Sequence, residues 1–170
     1  KSYQYFVTPP GKSEYLLTTR KNWTWAGMNT IGVWKIRQHV TDNSGEVDIT
    51  DVVHSVTIVN RKPVVNIAIP GSLNQNTPNV YNVNPPTISW NYADADNDPQ
   101  VKYRVKVYQY GGILVADSNE VNSSATTWTL PNKLTENQNM YVVVSVFDGY
   151  DWTASTPKYF VMITNKPPTA

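Results

Sequence analysis

The chain closes two of its stretches with the same pattern. In each stretch, a β-rich run ends in a turn that contains Asp and Gly, at residues 40–45 in the first and 146–149 in the second. A further β-rich run follows and ends in Asn, a basic residue and Pro, at 60–63 and at 165–168. The two turns lie about 100 residues apart, which is the size of one two-sheet β domain. Repetition at this spacing predicts modules arranged in series.

Apolar and polar residues alternate along much of the chain. Residues 87–92 and 101–108 place apolar side chains on one face and mostly polar ones on the other, which is the period of a strand with one solvated face. Residues 140–147 are apolar on both faces and predict a central strand. No window combines apolar residues at helical spacing with capping residues. The chain is therefore predicted to be all-β.

Proline marks the expected boundary between modules, because it lacks the N–H donor that a sheet needs. We expect a first module at 1–62 and a second at 63–170, and 40% hydrophobic residues suffice for packed cores. The second module accommodates seven short strands, the number found in a seven-stranded β-sandwich. The predicted strands are 64–69, 86–92, 101–109, 113–117, 125–130, 140–147 and 158–164.

The second module resembles a fibronectin type III domain. Trp90 and Tyr103 stand where that family has the Trp of its second strand and the Tyr of its third, and Leu134 followed by Tyr141 is similar to its leucine and tyrosine-corner strand. The acidic residues at 94–98 and 148–151 are similar to those of modules in secreted bacterial multidomain proteins. The resemblance implies a β-sandwich fold, an extracellular or cell-surface location, and no catalytic residues.

The first module resembles a different kind of repeat. Residues 32–36, 40–45 and 56–60 are similar to the last strands of PKD-type or bacterial Ig-like modules. The glycine- and aspartate-rich motif that usually precedes these strands is missing. With about 62 residues, this is either a shortened module or one cut at its start.

Alternating carboxylates suggest a calcium site. Asp94, Asp96 and Asp98 occupy alternate positions of one loop, and Ca²⁺ takes six to eight oxygen ligands. The sandwich topology places this loop beside the loop that carries Asp148 and Asp151, so all five acids could face one ion. The alternative is that they are solvated turn residues, since Asp favours turns through local hydrogen bonds.

Aromatic residues at strand ends and in loops suggest a binding surface. Exposed rings can stack on sugars or contact a protein partner. The alternative is that Trp128 and Trp152 pack inward at the rim of the sandwich and that single surface aromatics need no explanation. The candidates are Tyr108, Tyr110, Trp128, Tyr150 and Trp152.

The sequence contains no motif for catalysis. No nucleophile elbow, phosphate-binding glycine loop or zinc-protease motif occurs, and there is no Cys. His39 and His54 lie on different predicted strands, and two imidazoles do not complete a zinc site. We therefore expect a protein that is not an enzyme and needs no cofactor, with Ca²⁺ as the one candidate ion.

Charge and composition narrow the set of partners. A net charge of +1 without a basic patch argues against nucleic acid, and no apolar stretch approaches the roughly 20 residues that a membrane helix needs. The expected partners are neighbouring modules of the same polypeptide. The expected function is a spacer or stalk. The alternatives are a module that binds polysaccharide or a surface protein, and an accessory domain of a secreted hydrolase.

Overall fold

The computed structural model describes residues 1–46 and 52–163, and all regular structure in these two ranges is β-strand. The all-β prediction is thereby confirmed. The chain divides into two compact units, of which the first ends at Asn60 and the second begins at Arg61. Of the two closing patterns, the one at 165–168 lies outside the described residues.

The described strands of the first unit form one antiparallel sheet in the order β2-β1-β3-β4. Its second strand is short, and the sheet is longest along β3, which pairs with both β1 and β4. The strands are β1 (Ser2–Thr8), β2 (Tyr15–Thr18), β3 (Gly32–Thr41) and β4 (Val52–Ile58).

A row of aromatic rings covers one face of this sheet. Trp23 lies 5.2 Å from Tyr5 and 6.4 Å from Trp25, and Trp25 lies 5.4 Å from the buried Trp34 (centroid distances). Trp23 and Trp25 alternate in the sequence, and this spacing predicts two core indoles on one face of a strand. They do share a side, but their segment is not a strand, because it forms no ladder. The two indoles therefore act as a half-buried cover over a single sheet.

The second unit is a sandwich of two sheets. Three strands in the order β11-β7-β5 face a larger sheet of seven strands, in which β10-β8-β12-β14-β6 run in order, β9 pairs with β8, and β13 pairs with β12. The strands are β5 (Val64–Ile69), β6 (Asn79–Tyr81), β7 (Thr87–Ala93), β8 (Lys102–Gln109), β9 (Leu114–Asp117), β10 (Val121–Asn122), β11 (Thr127–Thr129), β12 (Asn139–Phe147), β13 (Trp152–Ala154) and β14 (Lys158–Met162).

All seven strands predicted for this unit are present, with bounds that differ by at most two residues. Three further strands, β6, β10 and β13, were not predicted. Each has only two or three residues, which is too short for an alternating pattern to show. The first of them pairs in parallel with β14, a contact between distant segments that local pattern cannot indicate.

Alternate residues of the strands fill the space between the sheets. Met140, Val142, Val144 and Val146 of β12 are at most 1% exposed, whereas the residues between them are half-buried on the outer face. The prediction of a central strand at 140–147 is confirmed, because β12 pairs with β8 on one side and with β14 and β13 on the other. The core comprises Val65, Ile67, Ile88, Trp90, Tyr103, Val105, Val107, Leu130, Leu134, Met140, Val142, Val144, Val146, Phe160 and Met162.

A buried hydrogen-bond network ties the two sheets together at Trp90. The indole Nε1–H donates to Gln100 Oε1 at 2.9 Å, and Gln100 Nε2 donates to the backbone oxygens of Ser123 and Ala125. Gln100 itself is 5% exposed. Trp90 thus fills space in the core and also donates a hydrogen bond to the buried Gln100 amide. A buried amide without hydrogen-bond partners would lower the free energy of unfolding.

We expect Trp90→Ala to destabilise the second unit by about 3–5 kcal/mol, since it removes a large core side chain and leaves Gln100 Oε1 without its donor. Denaturant unfolding followed by circular dichroism measures the loss. Tyr150→Ala, which removes an exposed ring, is the control and should change the free energy of unfolding by less than about 0.5 kcal/mol. Equal stability of the Trp90→Ala protein would contradict the assigned packing.

Candidate functional site

Two acidic loops meet at one end of the second unit. Residues 94–98, here called the aspartate loop, follow β7, and residues 148–151, here called the second acidic loop, follow β12. The backbone N–H of Val101 donates to Phe147 O at 2.7 Å, and Tyr92 OH donates to Asp98 O at 2.8 Å. The loops lie side by side because β8 begins where β12 ends in their antiparallel pairing.

The aspartate loop gathers three carboxylates. Asp94, Asp96 and Asp98 each offer an oxygen within 4.8 Å of the others. Asp94 Oδ1 accepts the backbone N–H groups of Asp96 and Asp98, at 2.7 and 3.2 Å. Its second oxygen, Oδ2, is buried and has no hydrogen-bond partner among the described residues. This oxygen has the environment that a bound cation would complete.

Arg61 already neutralises part of this charge. Its backbone N–H and its Nε donate to the two carboxylate oxygens of Asp96, at 2.8 and 2.7 Å, and its Nη2 donates to Ala95 O. The side-chain hydrogen bond from Arg61, then that from its backbone N–H, lowers the pKa of Asp96. Asp96 therefore has an internal cationic partner from a residue 35 positions earlier in the chain.

The two other predicted acids have different partners. Asp148 is 2% exposed, and its Oδ1 accepts the backbone N–H groups of Tyr150 and Asp151, both at 2.7 Å. The carboxylate of Asp151 lies 4.0 Å from Lys62 Nζ. The structure thus brings together three of the five acids, while Asp148 and Asp151 lie outside that group and shape the second acidic loop.

The electrostatics of this end of the unit are dominated by negative charge. Burial, followed by the charges of Asp94, Asp148 and Asp96, raises the pKa of Asp98. Burial, followed by the charges of Asp94, Asp148 and Asp98, raises the pKa of Tyr92 to about 12. A cation would therefore relieve repulsion among these carboxylates.

The predicted aromatic residues fall into four places. Tyr108 and Tyr110 belong to a row on the outer face of the larger sheet, Trp128 is half-buried and packs against the core, and Tyr150 is 59% exposed in the second acidic loop. Trp152 stacks on Phe147 at 5.2 Å. Trp128 therefore packs inward, as the alternative interpretation predicts, whereas Trp152 is 37% exposed.

The row on the outer face contains two residues that the sequence analysis missed. Tyr108 stacks on Tyr141 at 4.9 Å with the rings 14° apart, Tyr141 lies 5.9 Å from Tyr159, and Tyr110 lies 5.7 Å from Tyr159. Both missed residues alternate with buried positions of β12 and β14. Side chains alternate between the two faces of a strand, so the buried apolar neighbours of Tyr141 and Tyr159 predict that both tyrosines point outward.

A groove of about 490 Å³ crosses the outer face between Tyr108 and Trp152. Its floor comes from β8 and β12, and its far wall comes from β13. A second cavity of about 310 Å³ lies on the other side of the tyrosine row, against Tyr110, Tyr141 and Tyr159. The groove is lined by Arg104, Lys106, Tyr108, Glu120, Val143, Ser145, Trp152, Thr153 and Ala154.

The two histidines lie on paired strands of the first unit. His39 lies on β3 and His54 on β4, and the three aspartates are the one group of potential metal-binding side chains found in residues 1–46 and 52–163. None of the described segments forms a helix that is long and apolar enough to span a bilayer.

Among the solved structures similar to the chain are two fibronectin type III fragments and one larger protein. A two-domain fibronectin type III segment of chicken tenascin is 15% identical, with 96% of this chain and 85% of that chain covered and a TM-score of 0.45. The three-domain FN1–FN3 fragment of chicken CNTN1 is 13% identical, covered over 56% of its length, with a TM-score of 0.42. Dimeric latent PorU from Porphyromonas gingivalis is 12% identical, covered over 16%, with a TM-score of 0.40.

No curated protein matches the chain. A family model does match, over residues 73–163, which is more than half of the 170 residues and runs from before β6 to the end of β14. The model describes the N-terminal immunoglobulin domain of Rha78A-like proteins. The expected Ig-like or fibronectin type III-like module is thereby confirmed. The chain belongs to the Rha78A-like N-terminal immunoglobulin domain family.

Proposed function

We propose that this chain is a non-catalytic spacer in an extracellular or cell-surface multidomain protein. Ig-like modules are generally non-catalytic, and the family is named for a domain at the N-terminus of a larger protein. The observation that carries the proposal is the way in which the second unit holds the first residues of its own chain. We call residues 61–63 the leading segment.

The leading segment is attached to the unit at each of its residues. Arg61 binds the aspartate loop through its backbone and its guanidinium group, Lys62 faces Asp151 of the second acidic loop, and Pro63 is fully buried. Strand β5 begins directly afterwards, at Val64. The direction in which the chain enters the unit is therefore fixed from its first residue.

These contacts matter for position more than for stability. The Arg61 side chain is 62% exposed and that of Lys62 is 68% exposed, and exposed ion pairs contribute little to the free energy of folding. Arg61 nevertheless binds the two oxygens of Asp96 from two directions, one through its backbone N–H and the other through its guanidinium group, and this fixes the geometry. A spacer needs a fixed geometry, because a freely rotating segment would let the domains that it joins change their orientation.

The proposal also covers an accessory role beside a hydrolase. Whether the neighbouring domain is adhesive or catalytic, the leading segment would limit the conformational freedom of the chain in the same way. The distinction depends on the neighbour and leaves the physical role of this chain unchanged.

Trypsin tests whether the leading segment is held. It can cleave after Arg61 but not after Lys62, which precedes Pro63, and proteases require a locally released backbone. We expect slow cleavage after Arg61 in the native chain and cleavage several-fold faster in Asp96→Asn, which removes the carboxylate charge and one of the two acceptors that Arg61 uses. Mass spectrometry measures the fragment that starts at Lys62.

The control is Glu136→Gln, which removes a carboxylate from another loop and should leave the rate unchanged. Cleavage after Arg20, in the first unit, is the internal standard, and circular dichroism confirms that each variant is folded. Cleavage after Arg61 as fast as after Arg20 in the native chain would refute the proposal.

We also propose that the aspartate loop binds Ca²⁺. Two observations support this: Asp94 Oδ2 is buried and has no hydrogen-bond partner among the described residues, and Asp94, Asp96 and Asp98 each offer a carboxylate oxygen within 4.8 Å of the others. Three carboxylates with backbone carbonyls and water can supply the six to eight oxygens that the ion needs. Because Arg61 holds both oxygens of Asp96, the ion competes with an internal cation, and we expect modest affinity.

We expect millimolar Ca²⁺ to raise the melting temperature of the native chain and EDTA to reverse the rise. Asp98→Asn should abolish the shift. Because the pKa of Asp98 is raised, the folded state loses stability as pH rises through that pKa. Asp98→Asn should therefore also raise the ion-free melting temperature at pH 7. Differential scanning fluorimetry measures both effects, with Glu136→Gln as control, and an unchanged calcium response in Asp98→Asn would exclude the site.

A further inference from the structure

We propose that the groove on the outer face of the second unit binds an acidic saccharide, a glycan whose sugar rings carry carboxylates. This activity goes beyond the spacer role and does not depend on it. The groove lies between Tyr108 and Trp152, and its floor is formed by β8 and β12.

Each aromatic wall of the groove is braced from behind by a second ring. Tyr108 stacks on Tyr141 with centroids 4.9 Å apart, and Trp152 stacks on Phe147 with centroids 5.2 Å apart. The bracing rings do not line the groove. The two walls are therefore held in place before a ligand arrives, which lowers the entropic cost of binding.

The spacing of the walls suits an extended ligand. Tyr141 and Phe147, which brace them, lie six positions apart on β12, or about 20 Å at the rise of a strand. A volume of about 490 Å³ falls in the range of small-ligand sites. Sugar rings present C–H faces that pack on aromatic rings and hydroxyl groups that hydrogen-bond to polar side chains.

The floor supplies one cation that has no partner of its own. Arg104 is held by Asp117 in a bidentate pair at 2.6 and 3.0 Å, and Lys102 lies 3.4 Å from Glu120. Within the part of the chain that the structure describes, the side chain of the half-buried Lys106 makes no hydrogen bond or ion pair, and Asp117, opposite it on β9, acts on its ammonium group only as a nearby charge. Lys106 thus faces the groove as a site for a carboxylate.

The geometry favours a saccharide over a peptide. Extended peptides usually add to a free sheet edge, whereas β8 and β12 are paired on both sides. The described strands of the floor therefore present no sheet edge to a peptide. Stacking surfaces at two ends, with a cation and the hydroxyl of Ser145 between them, match alternating sugar faces and carboxylates.

Native affinity electrophoresis of the full chain tests the inference. The gels contain polygalacturonate, the same polymer after full methyl esterification, poly-glutamate or no polymer. We expect retardation by polygalacturonate alone, weakened by salt. The net charge of +1 keeps non-specific attraction to polyanions small.

Variants locate the site. Lys106→Met and Trp152→Ala should each weaken binding about tenfold or more, the scale of one lost charge-assisted hydrogen bond or stacking contact. The matched controls are Lys133→Met, an exposed lysine in another loop, and Tyr150→Ala, an exposed ring two residues from Trp152. Both should bind as the native chain does.

Four results would overturn the inference. Equal retardation by the esterified and the acidic polymer would show that Lys106 does not bind a carboxylate of the ligand. Retardation by poly-glutamate would show that the groove does not select a saccharide. Full binding in both Lys106→Met and Trp152→Ala, or no binding by the native chain, would remove the groove. None of these outcomes affects the trypsin test of the leading segment.

Discussion

The hydrogen bond from the Trp90 indole to the Gln100 amide is the constraint on which the second unit depends. It joins a strand of the smaller sheet to the residue that leads into the larger one, and Gln100 holds the backbone before β11 as well. Residues 91–99 lie between these two anchors. The aspartate loop is therefore tethered at both ends by the core, and its carboxylates are presented to Arg61 at a fixed place.

The same alternation that builds the core also builds the groove. Tyr103, Val105 and Val107 point inward from β8 and are at most 6% exposed, so Arg104 and Lys106 must point outward. A buried inner face fixes the register, because a slip by one residue would exchange the two faces. The position of Lys106 between its aromatic walls is thus a consequence of core packing.

Much of the fold follows from local pattern, while the partners at the site do not. Alternation placed seven strands, and the Asp-rich loops could be expected to meet once their strands were paired. That Asp96 pairs with Arg61, 35 residues away, depends on where the leading segment lies. Tyr141 and Tyr159 were not predicted as surface residues because their strands are mostly apolar, although their alternation with core residues places them on the outer face. Short strands such as β13 form because β12 offers a partner, and their own sequences carry no such signal.

Asp148 links the leading segment to the groove. Its buried carboxylate accepts two backbone N–H groups of the second acidic loop and thereby sets the turn from β12 into β13. Asp151, which faces Lys62, and Trp152, which forms a wall of the groove, are consecutive residues after that turn. A buried acceptor with two donors is costly to disrupt. The turn therefore holds the leading segment and the groove in one geometry, although each uses its own side chains.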